Sequence, residues 1–134
     1  MTTAAAPLTS LLALTLPSTP DSARKARYRT KAALDCPELV GYAEFAEAIA
    51  DELAANAILH AGAATFGLQI LHMGYAAVAV IVTDPSPHLP VKLDPTGDAE
   101  RGRGLLIVEA LSAAWGWRLR PGGKAVYAIV TREA

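Results

Sequence analysis

Three groups of residues in this 134-residue chain have the types and spacing of chemical machinery. The first is Glu52, Asn56 and His60, at i, i+4 and i+8 of an amphipathic stretch. On a helix each would lie above the last. A carboxylate and a carboxamide one turn apart offer the hard oxygen ligands that suit Mg²⁺. The carboxylate can equally take a proton from a nucleophile. A solvated helix face shows the same spacing. His60 fits packing or capping at a helix end better than proton chemistry. The second group is Asp84, where an apolar run meets a Pro-rich one. A carboxylate there can accept a hydrogen bond from an exocyclic amine, or simply end a strand in a turn. The third is Arg101-Gly102-Arg103-Gly104-Leu105. Two glycines allow close backbone approach, and a helix beginning there would present free N–H groups to an anion such as phosphate. Arg101 or Arg103 could add charge. No Gly-Lys-Ser/Thr follows, so it is not a Walker A loop, and the third glycine of a dinucleotide fingerprint is missing. An ordinary loop also uses Gly-x-Gly.

These groups need elements to position them. Leu11 to Leu16 reads as a short edge strand closed by Pro17, after an irregular start. Pro20 and Asp21 open a basic helix over Ser22 to Leu34, whose cations fit a solvated face better than a phosphate patch. Glu38 to His60 is the strongest helix, with an apolar stripe of Phe45, Ile49 and Leu53 and a left-handed stop at Gly62. Thr65 to Met73 and Tyr75 to Thr83 predict a hairpin turning near Gly74, its second strand the more buried. Asp84 to Arg101, with four prolines, reads as a long functional loop that orders on ligand binding. A helix over Leu105 to Leu111 follows, then strands Ala114 to Arg120 and Ala125 to Thr131 around Pro121-Gly122-Gly123. The order predicts an α/β two-layer sandwich, a mostly antiparallel mixed sheet covered on one face by helices. Residues 1–16 form a tail and edge strand, and 17–134 a single domain.

Composition narrows the function classes. Hydrophobic residues are 52% and charged ones 19%, which is globular and not disordered. The net charge of −1 gives no electrostatic footprint for nucleic acid or an anionic membrane. One cysteine, Cys36, excludes an internal disulfide framework and fits a reducing cytoplasm. His60, His72 and His88 make no zinc pattern. Ala4 to Leu16 is apolar, but no basic residue precedes it and Pro7 interrupts it, so a signal peptide is not expected.

Taken in order, the three groups form a more specific pattern than any one alone. Glu52-Leu53-Ala54-Ala55-Asn56-Ala57-Ile58-Leu59-His60-Ala61 resembles the N box of the GHKL (Bergerat-fold) ATP-binding proteins, the gyrase and histidine kinase type. Val82-Thr83-Asp84-Pro85-Ser86-Pro87 resembles their first glycine box, and Glu100 to Glu109, around Gly102 and Gly104, their second. Trp115-Gly116 and Gly123-Lys124-Ala125-Val126-Tyr127 resemble the closing strands. The likeness runs from Pro17 to Ile129 and is nearest to the small anti-sigma factor serine kinases of actinobacteria.

The resemblance implies that Asn56 binds Mg²⁺, Glu52 is the base, and Asp84 holds the adenine amine. Gly102 and Gly104 shape the phosphate lid, with Ser86, Arg101, Arg103, Leu105 and Lys124 among the nucleotide-binding residues. It implies ATP and Mg²⁺, serine/threonine kinase activity on an anti-sigma antagonist, and control of transcription by partner switching with a sigma factor. It also implies a cytoplasmic protein, of a family that suggests a homodimer, with no direct nucleic-acid or membrane contact. Two departures point to the alternative, a non-catalytic module using ATP only as a conformational ligand. Ser86 stands where a glycine is usual, which stiffens the adenine edge. Ala125 replaces a hydroxyl residue and removes a water-mediated base contact.

Overall fold

A computed structural model describes residues 8–60, 62–74, 76–86 and 99–132, giving only the backbone course over 99–104. The elements are β1 (Thr9–Pro17), α1 (Pro20–Ala33), a short 3₁₀ turn (Val40–Tyr42), α2 (Ala43–His60), β2 (Thr65–Gly74), β3 (Ala77–Asp84), α3 (Ala99–Leu111), β4 (Ala114–Arg120) and β5 (Gly123–Thr131). The five strands form one sheet in the order β1-β2-β3-β5-β4. Every neighbouring pair is antiparallel. Among the described residues the sheet is therefore antiparallel throughout, with no parallel pair to make it mixed.

Side chains alternate across a sheet, so one parity in each strand meets the helices. Phe66, Leu68 and Ile70 of β2, Val78, Val80 and Val82 of β3, and Val126, Ala128 and Val130 of β5 are all buried. On β1, Leu12, Leu14 and Leu16 pair with Ile70, Leu68 and Phe66 and pack on the same core. The hairpin expectation holds, with β3 starting at Ala77. Ala76 has φ 60, which no strand residue adopts. As expected, β3 is the more buried strand of that pair.

Helix α2 lies over the sheet, flanked by contacts with α1 and α3. It buries Ala43, Ala46, Ile49, Ala50, Leu53, Ala54 and Ala57. Alanine lets the helix sit close to the strands, so this stripe is mostly alanine and not the expected Phe45-Ile49-Leu53 row. Phe45 is 44% exposed. Each i+4 step advances about 40° around a helix, so a row in phase at Leu53 has left the core by Phe45. The helix also begins at Ala43 and not at Glu38. Cys36 O accepts from Leu39 N at 3.1 Å and Val40 N at 2.8 Å, closing a turn first. Gly41, poor in helix interiors, sits in that turn beside the Arg132 side chain.

The cations of α1 are solvated, as expected: Arg24, Lys25, Arg27, Arg29 and Lys31 are all exposed. No described helix is long and apolar enough to cross a membrane.

Candidate functional site

The pairing register sets one end of the site. Asp84 on β3 lies opposite Lys124 on β5, and Thr83 opposite Ala125. Asp84 and Lys124 continue the buried valine rows, so both belong to the helix-side face. Both are buried. Lys124 Nζ lies 3.0 Å from Asp84 Oδ1, and it also donates to the Ser86 carbonyl at 3.3 Å. Ser86 N donates to the same Oδ1 at 2.8 Å, the turn an aspartate makes with the backbone two residues on. Gly123 permits the strand crossing. A Cβ there would overlap the Asp84 carbonyl oxygen.

These contacts place both departures noted in the sequence. Ser86 adopts no left-handed conformation, so its backbone does not require glycine. Its amide helps hold the carboxylate. Ala125 belongs to the other parity, facing away from the helices, so the β5 residue opposite Asp84 is Lys124. Sequence reasoning placed Lys124 among the nucleotide-binding residues without this partner, because pairing register is not local information.

The second end is α2. Measured from Ala57 at the centre of the buried face, Glu52, Asn56 and His60 stand about 140°, 100° and 60° round. All three are half-buried. On the opposite flank Arg27 of α1 meets Glu47 at 3.8 Å and Asp51 at 3.5 Å. The row of Glu52, Asn56 and His60 is therefore on the flank away from α1. Burial pushes the Glu52 carboxyl above the ordinary glutamate value. The adjacent Asp51 charge adds to this, and Arg27 partly offsets it. A carboxylate with a raised proton affinity is a better base near neutrality. Arg27 and Asp51 were missed as influences on Glu52, although Asp51 is its neighbour in the chain.

The third group differs most from expectation. Helix α3 begins at Ala99, so Gly102 and Gly104 lie inside it and not in a loop before it. The N–H groups of its first turn, Ala99 to Gly102, have no partner within the helix itself. Leu105 is fully buried with Val108 in the core. The side chains of Arg101 and Arg103 lie outside the described residues, as do positions 87–98 of the expected loop and its ordering on ligand binding.

A cavity of about 350 Å³ touches the same strand ends, lined by Thr15, Gly67, Thr83, Arg120 and Gly123 as well as Asp84 and Lys124. By register Thr15, Gly67 and Thr83 are on the helix-free face, so this hollow lies behind the sheet from α2.

A sheet end with a buried carboxylate, a helix with Glu-x-x-x-Asn on its flank and a third helix after a long connection are now in place. Residues 16–130 match the family described as Histidine kinase-like ATPase domain. The chain belongs to that ATPase family. Comparison with curated proteins gives no match. Among solved structures, this ATPase domain is similar to the crystal structure of the RsbU and RsbW domains of Rv1364c from Mycobacterium tuberculosis, with TM-score 0.67 and 20% identity. The alignment covers 94% of this chain and 32% of that one, and at this identity it shows a shared fold.

The donor set of the ATPase domain suits one kind of metal. Among the described residues no three His, Cys, Asp or Glu side chains stand together as a cage. Asn56 contributes a single carboxamide oxygen. Mg²⁺ commonly takes one or two protein ligands and completes its shell with phosphate oxygens and water, so Asn56 fits that ion beside a nucleotide.

Proposed function

We propose that the chain is an ATP-binding protein kinase of the anti-sigma factor type. It transfers the γ-phosphoryl group of ATP to a serine or threonine of an antagonist protein, in the cytoplasm, and binds a sigma factor in the alternative partner state. Transcription is then controlled by which partner is held. A homodimer is the assembly the family resemblance implies, and residues 17–134 act as one nucleotide-binding domain. The observation that carries the reading is Glu52. It is half-buried with a raised proton affinity, one turn from Asn56, within a domain of an ATPase family. A carboxylate whose burial disfavours its charge is a cost to the fold that chemistry explains. The fold likeness to a protein containing an RsbW domain adds support.

In this reading Asp84 accepts the adenine amine and orients the base. Asn56 would hold Mg²⁺, which neutralises charge on the phosphates when bound. The first turn of α3 presents backbone N–H groups to the phosphate chain. Glu52 takes the proton of the substrate hydroxyl as its oxygen bonds to the γ-phosphorus. The bond to the β-phosphate oxygen breaks, and ADP leaves beside a phosphoserine.

The test is phosphate transfer from labelled ATP to candidate antagonist proteins. Wild type should transfer, and Glu52→Gln should lose about 10²–10⁴-fold in rate while still binding ATP. Equal rates for the two proteins remove Glu52 as the base. ATP binding with no transfer to any antagonist favours the non-catalytic module.

A further inference from the structure

Lys124, expected among the nucleotide-binding residues, has no stated contact in the phosphoryl-transfer account above. Its neighbours in the same row of β5, Val126, Ala128 and Val130, are apolar and buried. A hydrophobic residue at 124, with a neutral partner, would be as stable or more so, because taking two charges out of water offsets most of their attraction. The pair is therefore weakly explained by stability. Its hydrogen bonding is also incomplete among the described residues. An ammonium has three N–H donors, and Lys124 spends one on Asp84 Oδ1 and one on the Ser86 carbonyl. Oδ1 also takes the Ser86 amide, and no described residue donates to Oδ2. One donor and one acceptor remain, on two residues that the strand register pairs.

We infer that Lys124 and Asp84 together read the edge of the base, with Lys124 donating to a ring acceptor next to the amine that Asp84 accepts. This inference rests on the ATP-site reading and assigns a further specificity residue within it. Adenine carries that edge: its exocyclic amine donates, and ring atom N1 beside it accepts. A fixed ammonium at this place supplies directly the contact that a hydroxyl at Ala125 was expected to mediate through water. The pair is buried, so a base that reaches it does so without competing solvent. There a charged hydrogen bond is strongest.

The probe is 1-deaza-ATP, which keeps the amine and loses the N1 acceptor. Wild type should bind it about tenfold or more weaker than ATP. In Lys124→Met both nucleotides should bind weakly, and the difference between them should fall to about twofold or less. Should Lys124→Met fail to fold, ¹⁵N-labelled lysine in wild type gives the same answer. The Lys124 Nζ resonance should shift with ATP and stay near its free position with 1-deaza-ATP. Equal affinity of wild type for the two nucleotides overturns the inference and leaves the ATP site standing. So does a folded Lys124→Met that still discriminates, or an Nζ resonance indifferent to N1. Absence of ATP binding to wild type overturns the ATP-site reading and this inference with it.

Discussion

At the strand end of the site, Asp84 is fixed by Lys124, by the Ser86 amide and by a register that glycine at 123 makes possible. On the helix side, Glu52 and Asn56 stand half-buried on the flank of α2, and α3 carries two glycines within its length. The first region is determined several times over by strand pairing and buried charge. The second depends on helix phase and on a helix that its own residues weaken. A binding edge for a rigid ring benefits from the first kind of construction. A region that must admit a flexible phosphate chain and a second protein's hydroxyl benefits from the other. On the proposed reading, the contrast teaches that rigidity follows what each end would hold.

Removing Asp84 should break the comparison most severely. Asp84→Ala leaves the Lys124 ammonium buried without its carboxylate, and should cost about 3–5 kcal/mol in denaturant unfolding. A loss below about 1 kcal/mol would mean the strand end is not held by this pair. Next is Gly123→Ala. The added Cβ overlaps the Asp84 carbonyl and Pro85, so β5 must shift. A destabilisation of about 1–3 kcal/mol is expected from such overpacking, together with weakened adenine nucleotide binding. Unchanged binding would separate the register from the site.

The helix side should respond in the opposite direction. Glycine inside a helix costs about 0.5–1 kcal/mol relative to alanine, so Gly102→Ala and Gly104→Ala should each stabilise the protein by about that amount. If α3 must open its first turns around phosphates, both should also weaken nucleotide binding. Stabilisation with unchanged affinity would show that the glycines stay helical in the complex.

The smallest effect concerns Glu52 itself. Its raised value means the folded state disfavours the ionised form, so ionised Glu52 subtracts stability above that value. Glu52→Gln should therefore be slightly more stable than wild type at neutral pH. The difference should shrink as pH falls through the raised value to the ordinary glutamate value of 4.5. Stability curves that run parallel over that range would contradict the burial argument.

The legible parts of the sequence were those carried by local pattern. The valine alternation of β3, the turn residues around Gly74 and Gly122, and the Glu52-Asn56 spacing each stand within one element. The start of α2 was misplaced because the apolar pattern continues through a segment where Gly41 and the Pro37 turn interrupt the helix. Phe45 was assigned to the core because an i+4 row drifts by about 40° each turn. The Lys124–Asp84 pair spans 40 residues of chain, and only strand register brings it together.

The central claim is that Asp84 and Asn56 hold the two ends of one ATP molecule. Calorimetric titration with ATP, with and without Mg²⁺, tests it most directly. Wild type should bind ATP at a single saturable site, more tightly with Mg²⁺. Asp84→Asn should weaken adenine nucleotides more than those bearing a keto group at the same ring position. Asn56→Ala should lose the Mg²⁺ enhancement while keeping the preference for adenine. No saturable binding to wild type, or equal losses in both variants for every nucleotide and metal condition, would contradict the account.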